Sequence, residues 1–419
     1  MSTEENTAGK PRWLVPAVWV TRVLVGAVFI ISGWAKSVDP WGFVYKVEEY
    51  LSVWSLGGVF PREIIVVGTV GLSIFEFVTG ILLLTGSLRR TSPVFAAAMM
   101  AFLLPLTAYI AVADPVADCG CFGDLWVISN TATFVKNLVI TALIVFLLIY
   151  NRRVGTGIIP GLQWIAIAIS VIYALLLAFV GWQFQPVVDF RPYPVGSDIN
   201  GGPAESDVTY IYERDDDRRE FTLDALPDST WTYIGPAQTH AFVEPLALFD
   251  GEDEVTEDVL MPDDETDGEL LILVVSEPGL DFLTRARFAN ELCEYEAAYG
   301  GRMIAVVAAS GDALDRWRDL ARPKMPVYSS SDTSLKQLVR GSTALVRVND
   351  GIITLKRNFA TVVPDLLSRP APIDSMKVFD DGHIARLLTL PYVGVILLLW
   401  LIGAWYNKKS DPVKTILRK

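Results

Sequence analysis

Two cysteines separated by one glycine are the clearest candidates for chemistry in this chain: Cys119 and Cys121, which are followed by Phe122-Gly123-Asp124. Two thiols with a single residue between them close only a small, strained ring, and strained exposed disulfides are more oxidising than structural ones. Such a ring encloses little chain, so it adds little stability through loop entropy. We therefore predict a redox pair. The spacing leaves open a passive loop disulfide, and free thiols or metal ligands.

A metal site at this pair needs additional ligands. Metal sites normally use three or four Cys, His or carboxylate side chains, and the histidines, His240 and His383, lie far along the chain. Asp114 and Asp118 are close in sequence, but carboxylates in a loop beside a membrane are more often solvated. We expect no metal ion.

Lys136 follows the cysteine pair, about one turn into an apolar segment. A neighbouring ammonium group stabilises a thiolate and lowers the pKa of a cysteine. The alternative role is an anchor whose charged end extends to the membrane surface. We take Cys119, Cys121 and Lys136 as candidate catalytic residues. The third cysteine, Cys293, falls on the apolar side of a predicted helix and is expected in a core.

Six apolar segments place these residues in a membrane protein. The chain has 419 residues, of which 52% are hydrophobic and 20% charged, and this mixture is too apolar for a soluble enzyme unless long segments contact lipid. Each segment is near the ~20 residues that cross a ~30 Å hydrocarbon layer. The segments are residues 14–33, 63–84, 93–113, 132–150, 160–181 and 388–406.

Basic residues at the segment ends predict the orientation, because Lys and Arg resist export. They cluster before the first segment, in two of the connections and after the last segment: Lys10, Arg12, Arg89, Arg90, Arg152, Arg153, Lys408, Lys409, Lys414, Arg418 and Lys419. We expect both termini in the cytoplasm of a bacterium and the chain in its inner membrane. Residues 34–62, 114–131 and 182–387 are then periplasmic, and the cysteine pair lies in an oxidising compartment.

Two charged residues fall inside the predicted spans. Arg22 lies about eight residues from the cytoplasmic end of the first span, and Glu76 lies at a similar depth in the second. Charges inside a membrane are costly and usually face a partner within the bundle. We predict a structural ion pair between them, with a proton or quinone role as the alternative.

The segment after the first span predicts a helix at the membrane surface. Asp39 and Pro40 form a helix start, and apolar residues recur at helical spacing as far as Trp54. Such a helix lies in the headgroup region, with its tryptophans at the interface.

The polar segment between spans five and six is long enough for its own core. It carries most of the acidic excess behind the net charge of -13, which argues against nucleic-acid binding because a phosphate backbone attracts a basic surface. Alternation of apolar and polar residues predicts a hairpin of residues 208–213 and 219–223, and a third strand is expected near 230–234. From Glu269 the pattern changes to β-α-β-α-β-α-β-β, which is the element order of thioredoxin.

These patterns predict a membrane-embedded helical bundle with an inserted α/β extracytoplasmic domain. The membrane part is predicted to consist of a four-helix bundle and two further membrane helices. The predicted divisions are 1–13, the N-terminus; 14–155, the four-span domain; 156–184, the fifth span; 185–265, a β-rich linker region; 266–370, the thioredoxin-like domain; 371–387, a linker; 388–406, the sixth span; and 407–419, a basic tail.

The membrane segments resemble a known family. Residues 22–36 (RVLVGAVFIISGWAK), followed by Asp39-Pro40, resemble the opening motif of DoxX-like membrane proteins, and Glu76 and Gly80 fit it too. The loop Cys119-Gly120-Cys121-Phe122-Gly123 is similar to that of the MauE branch, which comprises redox-associated membrane proteins named for methylamine utilisation. This resemblance covers about residues 15–150.

The complete architecture resembles a DoxX-like family of Bacteroidota with a thioredoxin-like outer domain. The motifs that carry this resemblance are Asp189–Tyr193, Ser229–Trp231 and Gly251–Asp253. It implies a four-helix bundle that presents a disulfide at its outer end, with disulfide formation in exported partners. The chain departs from thioredoxin at the helix start, which reads Glu277-Pro278-Gly279-Leu280 in place of a Cys-x-x-Cys pair. Thr343 occupies the usual cis-proline position, so this domain is not expected to exchange disulfides.

Three classes of function follow. The first is a membrane thiol-disulfide oxidoreductase, or redox relay, that passes electrons to an unidentified protein partner or to a quinone. The aromatic side chains of Trp41, Phe122 and Trp126 are able to line such a quinone site. The second is a non-catalytic assembly factor whose outer domain docks another envelope protein. A transporter is the weaker third option, because apart from Pro105 no pair of spans shows broken-helix symmetry. The lipid bilayer is the partner common to all three.

Overall fold

The computed structural model describes residues 13–200, 209–214, 217–222, 227, 230–236, 246–260, 269–364, 367 and 381–409. The chain divides into a membrane unit (1–182, 186–188 and 380–419) and an outer unit (183–185 and 189–379). The predicted N-terminal segment up to residue 12, most of the 371–387 linker, the tail from residue 410, and His240 lie outside the described residues.

The membrane unit is helical. Its helices are α1 (Leu14–Val38), α2 (Pro40–Val53), α3 (Arg62–Leu84), α4 (Ser92–Ala113), α5 (Asn130–Tyr150), α6 (Pro160–Gln183) and α12 (Asp381–Lys409). All except α2 are long and apolar enough to cross a membrane. Among the described residues the prediction of six spans is confirmed, and the chain is a multi-pass membrane protein. The first span is longer than predicted, since α1 continues to Val38.

Helices α1 and α3 pack closely because glycines line their contact. A Cβ atom added at Gly33 would lie 2.4 Å from the Phe77 nitrogen, and one at Gly80 would lie 2.6 Å from the Ile30 nitrogen. Small residues allow this backbone approach in membrane helices. The buried side chains beside this contact, including Val25 and Phe29, join those of α4 and α5 in one core.

Helix α2 begins as predicted. Asp39 accepts a hydrogen bond from the Gly42 nitrogen at 2.9 Å, and Pro40 is the first helical residue. The Trp41 ring stacks on Trp182 at a centroid distance of 3.8 Å. Helix α2 is therefore held at the same end of the unit as the C-terminus of α1.

Helices α6 and α12 are joined by aromatic residues. The rings of Tyr173 and Tyr392 are stacked 4.1 Å apart, and the Tyr392 hydroxyl lies 2.9 Å from Ser170 Oγ. The hydroxyls of Ser170 and Tyr392 thus form a hydrogen bond with each other inside the bundle, where water is scarce.

The described part of the outer unit forms two sheets. The smaller has the order β2-β1-β3, with β1 (Thr209–Arg214), β2 (Asp217–Thr222) and β3 (Thr232–Pro236). The larger has the order β10-β9-β6-β7-β8-β4-β5, with β4 (Phe249–Asp250), β5 (Asp253–Glu254), β6 (Glu269–Val275), β7 (Arg302–Val307), β8 (Val327–Ser329), β9 (Thr343–Asn349) and β10 (Ile352–Asn358). Its helices are α7 (Thr256–Leu260), α8 (Leu280–Leu283), α9 (Ala286–Ala298), α10 (Gly311–Ala321) and α11 (Asp332–Leu338).

The order of elements expected for a thioredoxin-like domain is confirmed from β6 to β10. Strands β6, β7 and β8 are parallel, and β9 runs antiparallel to β6. Apolar side chains from both faces of β6 enter two cores, with Leu273 in one and Ile272 in the other. The β4–β5 hairpin extends the sheet with residues from the predicted linker region. Cys293 is partly buried against the first core.

The end of β6 holds no thiol. Ser276 Oγ donates to the Gly341 carbonyl oxygen at 2.6 Å, and the Glu277 nitrogen donates to the Ser342 carbonyl oxygen at 3.2 Å. Two backbone loops therefore meet where a thioredoxin carries its cysteines.

Candidate thiol site of the membrane unit

The cysteine pair lies in the 114–129 loop between α4 and α5, and the ends of this loop are fastened to each other. Asn130 donates from its side-chain amide to Asp114 Oδ1 at 2.7 Å and to the Val116 carbonyl oxygen at 2.8 Å. Asp114 adopts a left-handed conformation (φ 46°) that ends α4. The loop is therefore compact, although it lacks regular structure over most of its length.

The two cysteine sulfurs are in contact. Their Sγ atoms are 2.8 Å apart, which is closer than two non-bonded sulfur atoms normally approach, and Cys119 is 8% exposed whereas Cys121 is partly buried. The Tyr50 hydroxyl donates to the Cys119 carbonyl oxygen at 3.0 Å, and Ser32 Oγ donates to the Cys121 carbonyl oxygen at 2.5 Å. Helices α1 and α2 thus hold the backbone on either side of Gly120.

Gly120 makes the turn between the sulfurs possible. Its φ of +67° is in the left-handed region, and a Cβ atom there would lie 2.6 Å from Lys46 Cγ. Its nitrogen donates to Asp118 Oδ2 at 2.7 Å, and the Lys46 ammonium lies 2.8 Å from Asp118 Oδ1. Helix α2 therefore clamps the loop through Lys46.

A buried ion pair lies next to the loop. Lys36 Nζ is 2.7 Å from Glu76 Oε2 and 2.9 Å from Ser32 Oγ, and both charged side chains are nearly inaccessible to solvent. Ser32 Oγ is also 2.9 Å from Glu76 Oε1. One hydroxyl therefore connects the ion pair to the backbone of Cys121.

The predicted Arg22–Glu76 ion pair is wrong, because Glu76 pairs with Lys36. The prediction counted residues from the cytoplasmic ends of both spans, but the helices are offset there, since the end of α3 at Leu84 packs against Gly26 of α1. Arg22 and Lys36 are separated by about 21 Å along the helix axis. Glu76 lies at the level of Ser32 and Lys36, at the cysteine end of α1.

Arg22, which is 0% exposed, is instead bound by the connection after α5. Its guanidinium group donates to Asn151 Oδ1 at 2.6 Å and to the Gly155 carbonyl oxygen at 2.8 Å. Further bonds reach the carbonyl oxygens of Asn151 and Val154. Carbonyl dipoles and one amide thus solvate this charge in place of a carboxylate.

Lys136 lies across the site from Lys36. Its ammonium nitrogen is 4.3 Å from the centroid of the Phe122 ring. A cavity of about 20 Å³ separates the helices here, lined by Ser32, Glu76, Cys121, Phe122, Lys136 and Asn137 together with apolar side chains. This volume holds about one water molecule. The structure therefore brings together Cys119, Cys121 and Lys136, all three predicted site residues.

The thiols of Cys119 and Cys121 differ strongly in pKa. The hydrogen bond from the Cys119 thiol lowers the pKa of Cys121 to about 7 against the opposing effect of burial, and Lys136 and Lys36 lower it further. The same contact with Cys121, together with burial, raises the pKa of Cys119 far above its usual range. Cys121 is therefore the sulfur that ionises near neutral pH, and a thiolate is the nucleophile in disulfide exchange.

The surroundings do not fit a quinone. The cavity beside Cys121 is far smaller than a quinone ring, and the three aromatic residues predicted to wall such a site are divided. Phe122 and Trp126 stack on each other at 5.9 Å, whereas Trp41 stacks on Trp182. Within the described ranges, no group of three or more His, Cys, Asp or Glu side chains is arranged to hold a metal ion.

Sequence reasoning missed the residues that hold the loop: Ser32, Lys36, Lys46 and Tyr50. One signal was available for two of them, because Ser32 and Lys36 are four positions apart and share a helix face. The contacts of Lys46 and Tyr50 depend on the tertiary position of α2, which no local pattern records.

Comparison with known proteins bears on the membrane unit. Residues 14–150 match the family model described as methylamine utilisation protein MauE, and residues 206–239 match a domain of unknown function, DUF8463. No curated protein matches the chain. A crystal structure described as a thioredoxin reductase from Burkholderia cenocepacia is similar at 12% identity and a TM-score of 0.23, covering 42% of this chain and 98% of that one. That likeness is too slight to bear on the fold. The membrane unit is thus similar to MauE over residues 14–150, and this similarity includes the whole cysteine loop.

Proposed function

We propose that this protein is a membrane thiol-disulfide exchange protein that forms disulfides in exported partners through Cys119 and Cys121. The observation that carries the proposal is the contact between the two sulfurs, 2.8 Å apart beside Lys36 and Lys136. Similarity to MauE supports a redox-related function of the membrane unit.

The exchange balances within the pair and its partner. The Cys121 thiolate attacks one sulfur of a partner disulfide, which forms a mixed disulfide and releases the partner's other sulfur as a thiolate. Cys119 then loses its proton and attacks Cys121 Sγ, which closes the Cys119–Cys121 bond and releases the second partner thiolate. In this direction two electrons pass to the partner, whose disulfide is reduced. The proposed formation of disulfides in partners is the reverse sequence, which oxidises a partner dithiol and leaves Cys119 and Cys121 as a dithiol.

Lys136 is proposed to stabilise the Cys121 thiolate. Its ammonium shares the cavity with Cys121 and lowers the pKa of that thiol. We expect Lys136→Gln to raise the pH at which Cys121 reacts with iodoacetamide. An unchanged pH profile would remove Lys136 from the proposed site.

The proposed location is a bacterial inner membrane with the cysteine loop on the periplasmic side. Arg89 and the connection after α5 lie together at the opposite end of the membrane unit, where Arg89 Nη1 is 3.4 Å from the Arg152 carbonyl oxygen. Basic residues favour the cytoplasmic side. This orientation places both termini in the cytoplasm and the outer unit in the periplasm.

The outer unit is proposed to dock the protein partner. It has the element order of a thioredoxin-like domain, but the positions after β6 are Ser276 and Glu277. Without a thiol there, this unit has the element order predicted for a thioredoxin-like domain but lacks its nucleophile, which suits binding better than exchange.

Trapping tests the proposal. In a Cys293→Ser background, Cys119→Ser removes the thiol that resolves a mixed disulfide, so a partner should remain bonded to Cys121 on a non-reducing gel. The matched control, Cys121→Ser, should hold less adduct because Cys119 is buried. Failure of both variants to hold any adduct would contradict exchange.

A non-catalytic scaffold is the second candidate, and the lack of a thiol at the end of β6 in the outer unit favours it. A scaffold tolerates Cys119→Ser and Cys121→Ser together. An exchange protein with both substitutions leaves its partner reduced. The oxidation state of the partners identified by trapping, measured in cells that carry the double variant, therefore separates the two functions.

A further inference from the structure

We propose that the net positive charge of Lys36, Glu76 and Lys136, held beside Cys121 in the membrane unit, makes the Cys119–Cys121 disulfide an oxidant of partner thiols. This inference rests on the proposed function and adds the residues that set the direction of exchange. It follows from three features of the membrane unit: position, connection and charge balance.

The ion pair is positioned at the reacting sulfur. Glu76 and Cys121 line the same small cavity, and Ser32 joins them, with its Oγ 2.9 Å from Glu76 Oε1 and 2.5 Å from the Cys121 carbonyl oxygen. Lys36 Nζ bonds to both Ser32 and Glu76. A pair that served only to join α1 and α3 would not need this link to the loop.

The charges around Cys121 balance only when it is ionised. The groups that face it are the ammonium of Lys36 from α1, the carboxylate of Glu76 from α3 and the ammonium of Lys136 from α5. On the α2 side, Asp118 cancels the charge of Lys46 within the site, the second carboxylate bonded to Lys46, that of Glu49, is 41% exposed to solvent, and Tyr50 contributes an uncharged hydroxyl. Two cations and one anion leave one positive charge, and a thiolate cancels it.

Formation of the disulfide removes that thiolate and restores the uncancelled charge. A buried net charge is costly, so the reduced pair is stabilised relative to the disulfide, and stabilising the reduced form makes a disulfide a stronger oxidant. The same positive charge attracts an incoming partner thiolate.

The resulting reaction draws electrons from the partner. A partner thiolate attacks Cys121 Sγ, the bond to Cys119 breaks, and Cys119 leaves as a thiolate that takes up a proton. The partner's second thiolate then attacks its own sulfur in the mixed disulfide and releases the Cys121 thiolate. The partner loses two electrons and gains a disulfide. Lys36 and Lys136 stabilise the Cys121 thiolate that is released in the second step.

The test is equilibration of the full-length chain with glutathione redox buffers at neutral pH, in a Cys293→Ser background. The dithiol fraction is read by alkylation and mass spectrometry of the peptide that carries the pair. We expect Lys36→Gln to shift the equilibrium about tenfold toward the disulfide and Glu76→Gln about tenfold toward the dithiol, since a change of one pKa unit is a tenfold effect. The double variant, neutral at both positions, should return near the wild-type value.

Opposite shifts distinguish this role from a structural one, because both single substitutions break the same ion pair. Shifts in the same direction, or no shift in either variant, would overturn the inference. If Lys36→Gln does not accumulate in membranes, Glu76→Gln and the double variant decide, since their equilibria must still differ about tenfold. If the wild-type pair does not equilibrate with glutathione, the proposed function itself fails, which is a separate result.

Discussion

Ser32 Oγ lies 2.5 Å from the Cys121 carbonyl oxygen, so a residue inside the first membrane helix holds the backbone of the redox loop. Ser32 also accepts a hydrogen bond from Lys36. Loop conformation and ion-pair geometry are therefore connected through one hydroxyl.

Substitution of that hydroxyl should loosen the loop. We expect Ser32→Ala to cost about 1 kcal/mol for each hydrogen bond lost and to increase hydrogen exchange in residues 114–129. Ser37→Ala is the matched control, because Ser37 is equally buried but bonds only to the Gly33 carbonyl oxygen of its own helix. Equal exchange in the two variants would contradict the role of Ser32.

Gly120 offers a second test of loop geometry. Gly120→Ala places a methyl group against Lys46 Cγ and adds about 1–2 kcal/mol of left-handed backbone strain. Gly123→Ala is the control, since its φ is +55° but nothing lies within 4 Å of the added atom. We expect Gly120→Ala alone to displace Lys46 from Asp118 and to change the iodoacetamide reactivity of Cys121. Identical reactivity of the two variants would show that Lys46 does not clamp the loop.

The contacts of Arg22 predict a specific energetic coupling. Asn151 Oδ1 is 2.6 Å from Arg22 Nε, whereas Glu76 shares no partner with Arg22. A double-mutant cycle of Arg22→Met and Asn151→Ala should show a coupling of about 1.5–3 kcal/mol in the free energy of unfolding. The same cycle with Glu76→Gln should show none. A large Arg22–Glu76 coupling would restore the ion pair that the structure replaces.

Stability of the outer unit should depend on pH through Lys356. Burial lowers the pKa of Lys356 from 10.5 to about 7, and nearby Arg191 acts in the same direction despite the hydrogen bond to Asp189 at 3.1 Å. The unfolded chain then binds more protons between these two values, so the unfolding free energy rises as pH increases from about 7 to 10.5.

Urea unfolding of the full chain across this pH range measures the effect. Lys356→Met should abolish the rise, because methionine does not titrate. Lys336→Met, which removes a partly exposed partner of Asp332, should keep this rise. A rise that persists in Lys356→Met would assign the pH dependence to another group.

Local patterns were sufficient for much of the fold. Apolar segment lengths predicted six spans, Asp39-Pro40 predicted the start of α2, and the change of pattern from Glu269 predicted the element order from β6 to β10. The β4–β5 hairpin was not predicted, because strands of two residues are too short to show an alternation of apolar and polar side chains.

The candidate site was only partly predictable, because its partners come from different helices. Spacing alone identified Cys119 and Cys121, and proximity in sequence suggested Lys136. The partner of Glu76 required the offset between α1 and α3, which is set by glycine contacts such as Gly33 against Phe77. Counting residues from the span ends carries no information on that offset.

The central claim is that Cys119 and Cys121 alternate between dithiol and disulfide outside the cytoplasm. Cells are quenched with acid, free thiols are blocked, and the remaining disulfides are reduced, labelled with a second reagent and quantified on the peptide that carries residues 119 and 121. The account predicts that both forms are present and that the disulfide fraction falls when cells are exposed to a membrane-impermeant reductant. A pair that is fully reduced under every condition, or unaffected by that reductant, would contradict it.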